Sequence, residues 1–205
     1  MTTKFDSDTY ETPPWLFELL AEAFGPFFWD ACCDSSNCLI PRQKDNYLGD
    51  NPYTGTERLY DYLTLDLKPI SDVIDDGMDG YDFADCDDKT VIFMNPPYSR
   101  GKIGPMMEKA WEDAKHFRVV CLVRDDPSTK WYQNLLAKSI FSTTVYSTDI
   151  DKMGELKHFS NKCPAPLIII RLPKRIKFYK NGIEEKDCYN FPVCVVVMDR
   201  RNNVK

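Results

Sequence analysis

Histidine is scarce in this chain, with only His116 and His158 among 205 residues. The eight cysteines contain no Cys-x-x-Cys pair; Cys32, Cys33 and Cys38 cluster, and the rest are scattered. A structural zinc site draws on these two residue types at close spacing, so no metal is expected. No apolar run approaches the roughly 20 residues that span a bilayer, so no membrane partner is expected. Met1 to Asp8 is polar and lacks the apolar stretch of a secretory leader. The expected location is therefore cytoplasmic, with reduced thiols. Repeats, low-complexity tracts and obvious linkers are absent too.

What is present fits one domain spanning residues 1–205, because 43% hydrophobic residues suffice for a core and 28% charged residues for its surface. The net charge of −6 lowers the expectation of tight nonspecific binding to nucleic acid, although local basic patches can still steer contact.

Along the chain, Leu16, Leu19, Leu20 and Ala23 fall on one face of a helix over 14–24. Thr12 is placed to cap it, and Gly25-Pro26 to stop it. A short strand, Phe27 to Trp29, ends at Asp30, and the small residues that follow read as a tight turn. Residues 43–88 are rich in Asp, Tyr and Gly, with one candidate strand over Leu63 to Leu67. Val91 to Met94 is a continuous apolar run, as in a strand covered on both faces. Asn95-Pro96-Pro97-Tyr98 follows, then a helix over 105–117 whose inner face carries Met107, Ala110, Trp111 and Ala114. Val119 to Val123 reads as the next buried strand, and Ser128 as the cap of a helix carrying Trp131, Leu135 and Leu136. Trp15, Trp29, Trp111 and Trp131 read as core. Cys121 and Cys194 read as small buried hydrophobes. Leu167 to Arg171 and Val193 to Met198 are apolar runs, Arg175 to Tyr179 alternates, and Asn181-Gly182 signals a turn. The pattern predicts an α/β fold, a mostly parallel sheet with an antiparallel C-terminal end. Ligands of such sheets lie beyond the carboxyl ends of the strands, where Asp30 and Asn95 fall.

Asn95-Pro96-Pro97-Tyr98 suits the chemistry of an exocyclic amino group. The adenine amino nitrogen is a poor nucleophile because its lone pair is delocalised into the ring. Acceptors facing its two protons favour the tetrahedral, cationic nitrogen formed in methyl transfer. The Asn95 side-chain oxygen supplies one acceptor and the Pro96 carbonyl the other. Pro96 and Pro97 hold the backbone still, and Tyr98 offers a face for stacking. The catalysis so described is positioning and electrostatic preorganisation, with no dedicated general base. A stacked base cannot reach such a pocket and must flip out, at a cost of a few kcal/mol. The plainer reading of the tetrapeptide is a turn that ends a strand.

These residues resemble motif IV of the amino-methyltransferases of adenine N6, and the wider pattern is similar to the phage-type DNA N-6-adenine methyltransferases. Thr12-Pro13-Pro14-Trp15-Leu16-Phe17 resembles the family's opening segment, and Phe27-Phe28-Trp29-Asp30-Ala31-Cys32 its cofactor strand. Val123 to Tyr132 and Arg175-Ile176-Lys177-Phe178 resemble later stretches, the last a basic strand. The resemblance implies a Rossmann-like class I methyltransferase fold with S-adenosylmethionine as donor. It implies that Thr12, Pro13, Asp30 and Ala31, with Asn95, lie near that donor. An acidic residue that binds the ribose is also implied; Asp66 is the first candidate, then Asp45 and Asp85. The chain departs from the wider class in lacking a glycine-rich cofactor turn, and in carrying Cys32 and Cys33 there. A bacterial or phage-infected cell, and protection of phage DNA from restriction, follow from the same resemblance.

DNA is the implied partner. Ser99, Arg100 and Lys102 follow the motif and are the candidate DNA contacts, with Lys109 also within reach of phosphates. Lys174, Arg175, Lys177 and Lys180 form a second basic cluster, Arg200 and Arg201 a third. The loop over 142–164 is a further candidate reader of sequence. Two other functions compete: amino-methyl transfer to RNA or to a protein glutamine, and an inactive methyltransferase fold that only binds.

Overall fold

A computed structural model describes residues 10–33, 38–40, 63, 91–98, 101–138 and 165–201, and 142–146 by their backbone. Its centre is a six-stranded sheet: β1 (Phe27–Asp30), β2 (Val91–Met94), β3 (Arg118–Arg124), β4 (Ser142–Tyr146), β5 (Leu167–Arg171) and β8 (Val193–Met198). The strand order is β1-β2-β3-β8-β5-β4. Pairings β1–β2, β2–β3 and β4–β5 are parallel, whereas β8 is antiparallel to both β3 and β5. Among the described strands of this sheet, the last in sequence is therefore the single reversed one, and it sits inside the sheet. This agrees with the expected mixed α/β class and its antiparallel C-terminal end; the place of that strand, between β3 and β5 rather than at the margin, was not expected.

The apolar runs are explained by burial on both faces. Val91, Phe93, Val120, Leu122, Ile168, Ile170, Val193, Val195 and Val197 face one core. Ile92, Met94, Val119, Cys121, Val123, Leu167, Ile169, Cys194, Val196 and Met198 face the other. Strand side chains alternate, so two apolar faces require every position to be apolar. Burying a large apolar side chain is worth about 1.5–3 kcal/mol, and all six residues of β8 are buried.

Helix α1 (Pro14–Phe24) covers the first face with Leu16, Phe17, Leu20, Ala23 and Phe24. Its start differs from expectation. The Pro13 carbonyl takes the Leu16 and Phe17 amides at 3.0 Å each, so Pro13 is the capping residue and Thr12 makes no side-chain cap. Gly25 ends the helix; a Cβ there would stand 2.9 Å from the Ala21 carbonyl oxygen, so only glycine fits. The second face is covered by α2 (Ile103–Asp113) and α3 (Lys130–Lys138). Helix α2 begins two residues before the expected Pro105, which its first turn tolerates because the amides there lack helical partners. Met107, Ala110, Trp111 and Ala114 are buried as expected. Ser128 does not cap α3: its hydroxyl and amide both turn to Asp126 Oδ1, and the helix opens at the Thr129 carbonyl, which takes the Gln133 amide at 3.1 Å.

Other expectations shift as well. Trp15 is exposed rather than core, and Leu136 is exposed while Tyr132 is buried in its place. Leu63 lies in a 3-10 turn, not a strand, and residues 64–67 are outside the described set. Residues 175–178 are not a strand: Ile176 and Phe178 are buried in alternation, but their carbonyls meet single amides of Tyr189 and Glu185. A small hairpin, β6 (Tyr179–Lys180) and β7 (Ile183–Glu184), follows. Its turn residues Asn181 and Gly182 have φ of 53° and 73°, as the Asn-Gly signal requires. Residues 142–146 form β4 rather than the start of a loop. Among the described residues, no helix is long and apolar enough to cross a membrane, and no cluster of His, Cys, Asp or Glu could hold a metal ion.

Candidate active site

The parallel strands deliver Asp30 and Asn95 to the same edge, since Asp30 pairs in register with Phe93, two residues before Asn95. Helix α1 runs back along β1, so its entrance, Tyr10 to Pro13, returns to that edge. Tyr10, Glu11, Thr12, Asp30, Cys32, Cys33 and Asn95 line one open cleft. Three separate stretches of sequence supply this lining.

The N-terminal segment is fixed by the hairpin. Glu11 and Tyr179 exchange backbone hydrogen bonds of 2.9 and 3.0 Å, and the Glu11 carboxylate accepts the Gly182 amide at 3.0 Å. Thr12 and Pro13 are buried beside it. Ala31 is buried too, its amide donating to the Phe93 carbonyl at 2.8 Å.

Asp30 is buried at 5% exposure. Its Oδ1 accepts the Cys32 amide at 3.3 Å. Burial pushes the carboxyl up to about 7, against the opposing pull of that amide. It is thus a carboxylate poised to change charge near neutral pH.

Asn95 is half-buried. Its Oδ1 accepts the Tyr98 hydroxyl at 3.0 Å, and its Nδ2 lies 3.5 Å from the Tyr10 carbonyl. The same hydroxyl is 3.2 Å from the Leu122 carbonyl, so one proton is shared between two acceptors. Burial, then the neighbouring Tyr189 phenol, hold the Tyr98 hydroxyl well above the ordinary phenol range, so it stays a donor. The carboxamide oxygen keeps a second lone pair. Pro96 is buried and Pro97 half-buried.

Aromatic rings enclose this group. Tyr98 meets Tyr189 at 5.6 Å and Phe178 edge-on at 6.3 Å; Tyr10 stacks on Phe178 at 5.5 Å. Tyr10 and Tyr189 were not legible as site residues. The only local sign of Tyr189 is its position just before the apolar run of β8.

Of the candidate residues, Thr12, Asp30 and Asn95 line one cleft, with Pro13, Ala31 and Pro96 to Tyr98 adjacent in sequence. Asp45, Asp66, Asp85, Ser99 and Arg100 lie outside the described residues. Lys102 is exposed at the entrance of α2. Lys109, a further candidate for phosphates, is bound to Asp113 at 3.0 and 3.1 Å, with 16% of its side chain exposed. Arg200 and Arg201 serve the opposite edge of the sheet, on Trp111 and Asp199.

The model of the family described as DNA N-6-adenine-methyltransferase (Dam) matches residues 82–204. The chain belongs to this family. The matched segment of the methyltransferase family runs from just before β2 to just beyond β8, and contains Asn95 to Tyr98 and Tyr189. Thr12 and Asp30 lie outside it. No curated protein and no solved structure matches the chain.

Proposed function

We propose that this single domain, with a Rossmann-like methyltransferase fold, transfers a methyl group from S-adenosylmethionine to N6 of adenine in DNA. The observation that carries the reading is the shared cleft. Thr12 and Asp30, outside the matched family segment, line the same space as Asn95, inside it.

The residues fit the donor. S-adenosylmethionine, when bound, supplies an electrophilic methyl group on a cationic sulfur. A buried carboxyl held near 7 suits a cation, because a positive charge nearby favours its ionised form. Thr12, Pro13, Asp30 and Ala31 would hold the donor, together with Asn95, and Asp66 is the candidate partner of its ribose.

On the substrate side, Asn95 Oδ1 and the Pro96 carbonyl accept hydrogen bonds from the amino N–H groups and favour the developing cation on nitrogen. Pro96 and Pro97 keep those acceptors from moving during the reaction. The base must leave the duplex stack to reach them, and contact with the Tyr98 ring offsets part of that cost. Ser99, Arg100 and Lys102 follow the motif and meet the DNA backbone. Lys102→Ala should lower the slope of log affinity against log salt by about 0.9; an unaltered slope removes Lys102 from the interface.

The deciding experiment is transfer of labelled methyl to unmethylated DNA, followed by nucleoside analysis. N6-methyladenine in the digest is the expected product. Label appearing in RNA or in a glutamine-bearing peptide, with none in DNA, would overturn the substrate.

A further inference from the structure

The reversed direction of β8 has a consequence for the substrate side. Its first residue, Val193, pairs with Arg124, the last residue of β3. The residues just before it, Tyr189 to Pro192, are therefore carried to the carboxyl edge of the sheet, where Tyr189 meets Tyr98. The Asp125 amide donates to the Pro192 carbonyl at 2.9 Å and fixes the junction.

There the Arg124 guanidinium carbon lies 3.4 Å from the centre of the Phe191 ring, and its Nη2 lies 3.0 Å from Asp126 Oδ2. Both remain open to solvent: the Arg124 side chain is 35% exposed and Phe191 40%. Phe191 meets Tyr189 at 5.7 Å, Tyr189 meets Tyr98 at 5.6 Å, and Tyr98 bonds Asn95. A continuous line of rings runs from the reacting acceptor to an exposed aromatic layered with a cation.

A single exposed phenylalanine is ordinary. An exposed ring layered with an oriented guanidinium, joined to the site by two further rings, offers what a nucleotide requires. Flat surfaces take a base without regard to sequence, and the cation takes a phosphate. With the Tyr189 ring between Tyr98 and Phe191, a base whose amino group meets Asn95 leaves Phe191 to a neighbour. We propose that Phe191 and Arg124 bind the nucleotide flanking the target adenine on the same strand. The assignment rests on the reading of the chain as a DNA methyltransferase.

Two conservative variants test it. Phe191→Leu keeps apolar cover over Tyr189 but removes the flat face, and Arg124→Gln keeps a polar side chain of similar reach but removes the charge. The probe is a fluorescently labelled adenine-containing oligonucleotide, single-stranded and as a duplex, titrated by anisotropy at several salt concentrations. Phe191→Leu should weaken binding roughly five- to tenfold, with the salt slope retained. Arg124→Gln should weaken binding and lower the slope by about 0.7–0.9. In turnover the effect should fall on KM for DNA rather than kcat, and donor binding by calorimetry should not move. Either variant, melting as the parent does, that binds with parental affinity and slope overturns the proposal. So does a loss confined to kcat. The parent protein methylating no DNA would instead bring down the underlying reading, while the anisotropy still decides whether this surface binds nucleic acid.

Discussion

The two edges of the sheet each hold a shielded carboxylate, and the two are treated in opposite ways. At the amino edge, Asp199 follows β8 and meets Arg118 Nε at 3.0 Å and Arg201 Nη2 at 2.7 Å. Burial raises its carboxyl, but the hydrogen bonds and charges of Arg201 and Arg118 outweigh this and hold it below the usual range. At the carboxyl edge, Asp30 is acted on by burial and the Cys32 amide, and rises to about 7. At the first edge the carboxylate is bound by two guanidinium groups, as in a fixed structural network. The other carries a group whose ionisation would gain from an incoming cation. Such an asymmetry is in keeping with the proposed site at the carboxyl edge.

The comparison breaks first at Asn95. Asn95→Ala should lower methyl transfer about a hundred- to a thousandfold, well beyond any weakening of donor binding read by calorimetry; turnover retained in that variant removes the carboxamide from the mechanism. Asp30→Asn comes next. In the folded chain Asp30 titrates near 7 against a reference of 3.8, so its contribution is full below the reference and is lost as pH rises through 7. The variant should therefore be more stable than the parent at pH 8, by on the order of 4 kcal/mol, and equal to it at pH 4. The same change should weaken donor binding roughly tenfold. Denaturant melts across pH check the first claim and calorimetry the second. Parallel stability profiles for parent and variant would show that the two edges do not differ.

The amino edge should behave in reverse. Asp199→Ala leaves two guanidinium groups without their shared carboxylate and should cost about 1–3 kcal/mol at neutral pH. Because this carboxyl is held low when folded, its contribution is present above the unfolded value and is lost as pH falls through the folded one. The transfer rate per folded molecule should stay at the parental value; a specific loss of activity would make this edge functional after all. The smallest effect is expected at Gly182, whose φ of 73° disfavours a side chain although a Cβ would meet nothing within 4 Å. Gly182→Ala should cost about 1 kcal/mol in melting experiments and leave the cleft unaltered.

Much of this was legible residue by residue. Four apolar runs became the buried strands β2, β3, β5 and β8, because two covered faces leave no position for polar side chains. Asp30 and Asn95 were legible as strand ends. Strand order was not, since nothing local to Val193–Met198 says that it inserts between β3 and β5. The aromatic wall was missed too: Tyr10 is far in sequence from Phe178 and Tyr189, and it meets them through the backbone bridge between Glu11 and Tyr179. Residues 175–178 misled because Ile176 and Phe178 alternate in burial whichever backbone groups they bond. Thr12 misled because its hydroxyl was assigned to the helix, whereas Thr12 lines the cleft and Pro13 opens α1.

The placement of β8 also bears on the order of synthesis. It is made after both of its neighbours, and it bonds β3 on one side and β5 on the other. Until it emerges from the ribosome, the growing chain holds two part-sheets with facing unpaired edges, each a template for a strand from another chain. A premature stop shortly before Val193 would not trim a margin. It would remove the strip that joins the halves, and leave an aggregation-prone product in place of a shortened enzyme.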